Sequence, residues 1–360
     1  MLRRKGGILI FILSGAMMLP RELQGAPNPY FGFPQENSPA RSDPRDDSSN
    51  LQTVLLGVEW IESRKAGHSQ RLGLLSWEKD FILKTPRLTF VNASVDSDGG
   101  RLTLESPASV SPYIAFIAEY PFFYQPSEQS GRLTETRFRG LGTGAGILKR
   151  SPVADARLGV EWVSGKLDGD VKETGRKTTE LLQLERDRTQ RTKWDEPTSG
   201  TRLFFSFSAL QFNGFASEPE KTVATVQGVE EWYHPVSPST TFGLAAREGA
   251  DSRSARFWST TLGSLQEDDF NIPLPGYLYQ QFAVKGFIDG EAGLAFRPTP
   301  DWSFHVGYDA AGGWSPHLYG AVTGGVTHLL FNKLPLNLQG AWGLSPSGAM
   351  EVLGGTALQW

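Results

Sequence analysis

Apolar and polar residues alternate along most of the chain from Leu51 onward. A period of two is typical of β-strands, whose successive side chains point to opposite faces. The pattern is clearest in segment 302–309, where the apolar face consists of Trp302, Phe304, Val306 and Tyr308. The other face consists of Ser303, His305, Gly307 and Asp309. The same alternation recurs at 54–60, 114–120, 158–162, 203–207, 242–246 and 291–297, so the sequence predicts an all-β protein.

Strands with one apolar and one polar face predict a transmembrane antiparallel β-barrel. The sheet must close because the backbone N–H and C=O groups of an open edge would have no hydrogen-bond partners in hydrocarbon. We expect the apolar face to meet lipid and the polar face to line the lumen. On the order of 16 strands fit into residues 51–360 if each strand and its connection take roughly 20 residues. Short turns are predicted at 149–152 and 196–200, and longer outer loops at 165–178, 213–221 and 264–277.

The two ends of the chain carry different signals. Residues 1–26 combine a basic start with an apolar run and predict an export signal peptide, whose exact cleavage site stays open. Residues 27–50 are rich in Pro, Ser and Asp and predict a disordered leader before a barrel at 51–360. The chain ends on Trp360, with Leu358 on the same face of the last predicted strand. A terminal aromatic of this kind is similar to the C-terminal assembly signal of bacterial outer-membrane barrels.

Several charged residues fall on the predicted lumen face. The sequence Leu-Gly-Val-Glu-Trp occurs at 56–60 and again at 158–162. The two copies are either a true internal repeat of one strand or a coincidence. Their two glutamates belong to the lumen set of Glu59, Glu161, Arg247, Glu291, Arg297 and His305. These residues could line a conduction path, but the more common role of such side chains is to hydrate a polar lumen.

Composition narrows the function classes. The 40 glycines and 22 phenylalanines favour an all-β fold, and the absence of cysteine excludes disulfides and cysteine-based sites. Without residues 1–26 the chain holds 31 basic and 38 acidic residues, a net charge of −7 with no basic run, so we expect no nucleic-acid binding. No later stretch is apolar for long enough to form a transmembrane helix.

The sequence offers no motif of an enzyme. It lacks the Gly-x-Ser-x-Gly, His-Glu-x-x-His and Walker patterns, and its histidines have no ligand spacing, so we expect no catalysis, metal or cofactor. The glycine-rich segment 140–146 lacks the strand-to-helix context of a dinucleotide loop. Its glycines more readily let a strand bend or press against an inserted loop.

Motifs in the second half resemble those of the bacterial surface antigen superfamily, the BamA/TamA type of outer-membrane barrel. The segment Val284-Lys285-Gly286-Phe287 resembles the Val-Arg-Gly-Phe/Tyr tip of that family's inward-folded loop. Segment 295–298 is similar to the following strand's aromatic-Arg motif, and 304–314 to the next strand's Phe-x-Asp-x-Gly pattern, with Asp309 in the acidic place. Upstream of these motifs, segments 194–203 and 233–236 resemble the family's order Asp…Pro-x-x-Gly-x-Arg-Leu…Tyr-x-Pro.

The resemblance implies a function and a mechanism. We expect a protein that assists insertion or translocation of proteins or lipids at the outer membrane. A Lys285–Asp309 ion pair would hold the loop in the lumen. A weak lateral seam would lie between 53–61 and 350–360, where Gly354 and Gly355 present little side chain to pack. The alternative for Lys285 is a solvated turn residue beside a flexible glycine.

Two departures bear on this expectation. Lysine replaces the family's loop arginine and lacks the planar fork that binds a carboxylate twice. The leader is also too short to hold the periplasmic polypeptide-transport domains that receive client chains in the family. The implied partners are therefore outer-membrane lipid, a separate transport-domain protein and unfolded clients. The competing functions are a passive pore for small solutes and a structural barrel that scaffolds a partner.

Overall fold

The computed structural model describes residues 52–359 except 64–68, 84–88, 97–98, 107, 127–132, 152, 193–196, 219–220, 253–256, 266–270, 279, 331–333 and 346–347. The predicted export signal at 1–26, the leader at 27–50 and Trp360 lie outside the described residues. No helix in the part described is long and apolar enough to cross a membrane.

The described chain is built from β-strands. The first long strands are β1 (Gln52–Ser63), β2 (Ser69–Leu83), β3 (Thr89–Asp96), β4 (Gly99–Glu105), β5 (Val110–Glu119), β7 (Leu133–Lys149), β8 (Asp155–Asp168) and β9 (Glu173–Asp187). The later long strands are β11 (Pro197–Asn213), β12 (Thr222–Ser237), β13 (Thr240–Asp251), β17 (Gly286–Thr299), β18 (Trp302–Gly312), β19 (Tyr319–Leu330), β20 (Leu334–Gly343) and β21 (Ala349–Gln359). The short strands are β6 (Phe122–Pro126), β10 (Gln190–Arg191), β14 (Thr261–Leu262), β15 (Asn271–Ile272) and β16 (Phe282–Ala283).

The long strands form one antiparallel sheet whose pairings return to their starting point. Each long strand pairs with the next one along the chain, while β6 pairs with β7 and β10 pairs with β11. The first strand then pairs with the last, from Thr53 opposite Gln359 to Ser63 opposite Ala349. Over the described residues this gives a ring of 16 long strands, so the predicted all-β barrel and its strand number are confirmed.

Side chains alternate between the two faces of the ring as the sequence predicts. In β1, Val58 is 63% exposed and its neighbour Glu59 is 0% exposed. In β18, Val306 is 54% exposed, whereas Ser303 and Asp309 are fully buried. The exposed face is therefore apolar and the inner face is polar, which is the arrangement that a barrel in lipid requires.

Connections differ in length between the two ends of the barrel. Residues 238–239 and 300–301 form tight turns at one end, whereas 252–285 forms the long connection between β13 and β17 at the other end. The predicted long loop at 165–178 is wrong, because β8 and β9 continue to Asp168 and from Glu173 and pair across Lys166 and Thr174. The predicted turn at 196–200 is also wrong, since β11 starts at Pro197. The outward side chains of β8 and β9 within 165–178 are polar, so they contact solvent while the backbone ladder continues.

Aromatic rings lie against glycines of the neighbouring strand along the inner wall. Tyr233 faces Gly243, and Phe287 faces Gly249. A Cβ atom on Gly243 would lie 2.3 Å from the Tyr233 ring, and one on Gly249 would lie 2.4 Å from the Phe287 ring. Glycine at these positions therefore leaves space for large rings inside the barrel.

Candidate functional site in the barrel lumen

The connection between β13 and β17, which we call the inner loop (252–285), folds into the barrel. Hydrogen bonds at its root hold its two ends side by side. The Asp251 amide donates to the Lys285 carbonyl at 2.8 Å, and the Val284 amide donates to the Thr260 carbonyl at 3.0 Å. The Thr260 amide and hydroxyl both donate to the Asp251 carboxylate at 2.9 Å. Most described residues between these ends are buried, so the loop is a packed part of the interior.

One side of the inner loop anchors in an aromatic cluster. Trp258 is 1% exposed and fits among rings of the inner wall and the adjoining loops. Its ring-centroid distances are 4.9 Å to Phe212, 5.2 Å to Phe215, 5.4 Å to Phe123 and 5.5 Å to Phe138. A ring surrounded by other aromatic rings contributes a large buried area as well as edge and stacking contacts. The loop is therefore fastened to the wall formed by β6, β7 and β11.

The middle of the inner loop bonds to the first and last barrel strands. The Leu265 amide donates to Glu351 Oε1 of β21 at 2.5 Å and to Glu59 Oε1 of β1 at 3.2 Å. The Gly276 amide donates to Glu351 Oε2 at 2.7 Å. Both carboxyl groups are fully buried. One backbone amide of the loop thus bridges the two strands that meet at the β1–β21 seam.

Further contacts strengthen this attachment, which we call the seam staple: Leu265 and Gly276 of the loop with Glu59 and Glu351 of the strands. The Ala349 amide of β21 donates to the Gly276 carbonyl at 2.6 Å. Leu278 packs with Ile61 of β1 and with Ala349, so apolar contacts cross the seam in parallel with the hydrogen bonds. Separating β1 from β21 would therefore disturb the loop as well as the ladder.

The rest of the inner loop is held by bonds within the loop and by bonds to the barrel wall. Strand β14 pairs with β15 and β16, and the Tyr277 hydroxyl donates to the Gly320 carbonyl of β19 at 3.0 Å. Burial raises the pKa of Tyr277, which keeps this hydroxyl protonated as a donor. The Gln280 side chain bonds the Phe122 carbonyl and the Tyr124 amide of β6, each at 3.0 Å. The loop is consequently a preformed plug tied to several sectors of the wall.

The ladder at the seam contains glycines on both strands. Gly355 faces Gly57, and Gly354 faces Val58. A glycine pair offers no cross-strand side-chain contact, which is the usual source of sheet stabilisation. Gly354 and Gly355 lie in the β1–β21 ladder, and Leu358 pairs through its backbone with Val54. The Leu358 side chain and Trp360 lie outside the described residues.

A second buried cluster surrounds Arg247 of β13. Its guanidinium bonds Asp289 through Nη1 and Glu291 through Nη2, the latter at 2.9 Å, and Nη1 lies 3.8 Å from Asp309 Oδ2. All four side chains are at most 4% exposed. Next to this group, Arg202 bonds Glu185 at 2.7 Å and approaches Glu231 at 3.5 Å. A planar guanidinium can serve several carboxylates at once, which makes such burial tolerable.

The predicted Lys285–Asp309 lock is wrong. The ladder between β13 and β17 extends to Ala250 opposite Gly286, which places Val284-Lys285-Gly286-Phe287 at the root of the inner loop and not at its tip. The Lys285 side chain is exposed, whereas Val284 and Phe287 are buried and Asp309 is fully buried beside Arg247. The cation beside Asp309 is Arg247 of β13.

The other predicted lumen residues lie on the inner face of their strands. Glu161 of β8 accepts from Arg101 at 2.5 Å and from Arg157 at 2.9 Å. Arg297 of β17 donates to Thr241 Oγ1 and to the Pro197 carbonyl, each at 3.0 Å. His305 of β18 lies over Gly325 of the neighbouring strand. These side chains are bonded to or packed on the wall of the barrel. Their predicted role of hydrating a polar lumen stays a prediction.

Sequence reasoning missed three parts of the site: Glu351, Asp289 and the loop residues that reach the seam. Alternation in β17 and β21 puts both carboxylates on the inner face, which was the available signal. Among the described residues, no group of three or more His, Asp or Glu side chains is arranged to hold a metal ion.

No protein-family model matches the chain, and no curated protein is similar to it in sequence. Solved structures are similar in fold. BamA from Haemophilus ducreyi lacking POTRA domains 1-3 has a TM-score of 0.58 at 11% identity, over 86% of this chain and 70% of that chain. CdiB from Acinetobacter baumannii has a TM-score of 0.56 at 10% identity, over 86% of this chain and 60% of that one. CdiB from Escherichia coli has a TM-score of 0.54 at 11% identity, over 86% and 63%.

The fold and the site together define a large antiparallel β-barrel whose lumen holds its own loop. Its fold is similar to that of BamA and CdiB, which are bacterial outer-membrane barrels. The chain spans less than two thirds of the length of either CdiB chain.

Proposed function

We propose that this protein is a barrel of the bacterial outer membrane that assists insertion or translocation of proteins or lipids by opening sideways between β1 and β21. The likeness in fold to BamA and CdiB supports the class of barrel, and the motifs at 194–203 and 304–314 support the kind of activity. A separate protein with transport domains and unfolded clients are the proposed partners. The chain itself is proposed to have no enzymatic activity.

The seam staple is the observation that carries this proposal. A passive pore needs an open lumen, and conduction does not require a loop that bonds across one particular strand pair. Here a single loop amide serves carboxylates of both β1 and β21, and Leu278 packs on both strands. A client that separates the strands would release the loop, so that lateral opening and unplugging become one event.

Disulfide trapping across the seam tests the proposal in a chain that has no cysteine of its own. Val58 and Gly354 face each other on the outer surface of the seam. A Cβ on Gly354 meets only the Leu338 side chain, at 3.9 Å, so cysteine fits there. Opposed residues on antiparallel strands lie about 4.5 to 5.5 Å apart, within the range a disulfide spans. The double variant V58C/G354C is therefore expected to form the bond without distortion.

A matched control exists on another strand pair. Val306 and Gly324 face each other between β18 and β19, with Val306 on the outer surface. Each double variant is reconstituted into liposomes and given an unfolded eight-stranded outer-membrane barrel, whose insertion is read from its heat-modifiable gel shift. We expect at least a tenfold loss of insertion in oxidised V58C/G354C, full recovery with reductant, and no loss in V306C/G324C. Full activity of the oxidised seam variant would overturn the proposal.

Planar-bilayer conductance separates this function from a passive pore. A plugged barrel gives a small, flickering conductance, whereas a pore gives a large and steady one. A structural scaffold would be silent in both assays and would be recognised by a stable partner in pull-downs from outer membranes.

A further inference from the structure

Three cations lie together on the outer surface at the long-loop end of the barrel. Arg139 of β7 and Lys166 of β8 face each other directly, and Arg176 of β9 faces Ser164, the neighbour of Lys166 on the same face of β8. Arg139, Lys166 and Arg176 are all exposed. All three share the face of Leu141, Trp162 and Leu184, which are exposed outward. We call Arg139, Lys166 and Arg176 the basic patch.

The described chain provides no counter-charge bonded to the basic patch. None of the three cations forms an ion pair or side-chain hydrogen bond among the described residues, whereas the next cation on β7, Arg137, is bonded to Glu135 at 2.5 Å and stacks on Phe122. The carboxylate closest in register, Asp168, faces Arg137. Like charges that face each other across a ladder destabilise a sheet, so an anion from outside would relieve the repulsion of Arg139 and Lys166.

The patch sits at the level where a membrane presents its head groups. Lys166 is four residues beyond Trp162 on the same strand, a distance of about 13 Å along the strand at 3.3 Å per residue. Trp162 is 44% exposed and Leu141, next after Arg139 on the outer face of β7, is 68% exposed, so both belong to the apolar belt. Aromatic side chains mark the membrane interface in barrels, and the layer just beyond them holds lipid phosphates.

We infer that Arg139, Lys166 and Arg176 form a binding site for the phosphate groups of a membrane lipid in the leaflet at the long-loop end of the barrel. Guanidinium groups bind phosphate oxygens in pairs, and the lysine adds a point charge between them. Three cations exceed the single charge of a phosphodiester, so the favoured occupant is a lipid with more than one phosphate, such as lipid A. The site rests on the membrane placement proposed above but not on opening of the seam, so the disulfide test and this one fail independently.

Lipid binding to the purified full-length chain tests the inference. The triple variant R139Q/K166Q/R176Q removes the patch at outward-facing positions. The control K149Q/R188Q/R191Q removes the same charge at the short-turn end of the barrel. Both are purified in an uncharged detergent, checked for heat-modifiable folding, and titrated with diphosphoryl lipid A under native mass spectrometry.

We expect wild type and control to retain lipid A at the same lipid concentrations and the patch variant to need at least tenfold more. Equal retention by all three proteins, or no retention by wild type, would overturn the site. A parallel titration adds inorganic phosphate to the lipid-bound wild type. If lipid A stays bound, the patch is a lipid site. If inorganic phosphate displaces lipid A when its concentration equals that of the lipid's phosphate groups, the patch is a site for small anions and the lipid assignment is overturned.

Discussion

Charged side chains inside the barrel are stabilised by partners on neighbouring strands. Arg247 faces three carboxylates, of which Asp289 stands directly opposite it in the ladder and Glu291 stands opposite Asp309. Removing a buried charge from water is tolerable only when hydrogen bonds and opposite charge replace the lost hydration. Arg247 is therefore the residue on which this group of acids depends.

Replacing Arg247 and Lys285 by methionine separates the observed cluster from the lock that the motif suggested. Arg247→Met leaves three buried carboxylates without their cation and should cost about 3 to 5 kcal/mol of unfolding free energy. Lys285→Met removes an exposed charge and should change it by less than about 0.5 kcal/mol. Urea unfolding in liposomes, followed by tryptophan fluorescence, measures both. An equal or larger loss for Lys285→Met would contradict the placement of the two residues.

The two carboxylates of the seam staple are not equivalent. Glu351→Ala leaves the buried Gly276 amide without its acceptor and weakens the bond of the Leu265 amide, at about 1 to 3 kcal/mol for each buried donor. Glu59→Ala should cost clearly less, because the Leu265 amide keeps its 2.5 Å bond to Glu351. The same unfolding assay ranks the two variants. A reversed order would show that the loop is held mainly by β1.

Alternation in the sequence predicts the faces of residues but not their partners. It places Glu59, Arg247 and Glu291 on the inner face, where the structure has them. Which cation meets which acid depends on the register between strands, and a motif alone cannot supply it. Lys285 illustrates this, since its place in a familiar tetrapeptide suggested a lumen partner, whereas the ladder of β13 and β17 leaves its side chain in solvent.

The inner loop is the element that distinguishes this barrel from an open one. Its sequence lacks alternation and carries Trp258, Leu262 and Tyr277, all of which are buried against the wall. Such large apolar side chains would be exposed to water if the loop lay on the surface. The ladder of β13 and β17 extends to Ala250 opposite Gly286, outside residues 253–284, so the pairing of the flanking strands does not depend on the loop.

Exchanging residues 253–284 for a short Gly-Ser linker should therefore leave the barrel folded and open its lumen. We expect planar-bilayer recordings to change from small flickering currents to a large, steady conductance. The heat-modifiable gel shift serves as the folding control. An unchanged small conductance in a folded deletion variant would mean that something other than the inner loop blocks the lumen.

Strand boundaries at the long-loop end were less predictable than the strands themselves. Strands β8 and β9 continue past the apolar belt with Lys166, Asp168 and Thr174 paired through their backbones, and polar residues there had suggested a loop. Hydrophobic alternation marks the part of a strand that meets lipid. It does not mark the part that continues the ladder into solvent.

At the scale of the whole molecule, strand number and closure follow from length and period, whereas the plug does not. About 310 residues at roughly 20 per strand give about 16 strands, and an even number of antiparallel strands brings the first beside the last. The staple joins Leu265 to Glu59, which are 206 positions apart. A contact over that separation forms only when the barrel closes around the inner loop, so no local sequence pattern predicts it.

A cysteine pair between the inner loop and the last strand tests most directly that the loop fills the lumen at the seam. Leu265 and Leu353 belong to one buried apolar cluster with Ala341, and the chain has no other thiol. In outer membranes carrying L265C/L353C, we predict a disulfide that forms under mild oxidation and shifts gel mobility, and none in the control L265C/V306C, whose second cysteine faces outward. Absence of the bond in L265C/L353C, or its equal formation in the control, would contradict a loop held inside the barrel against β21.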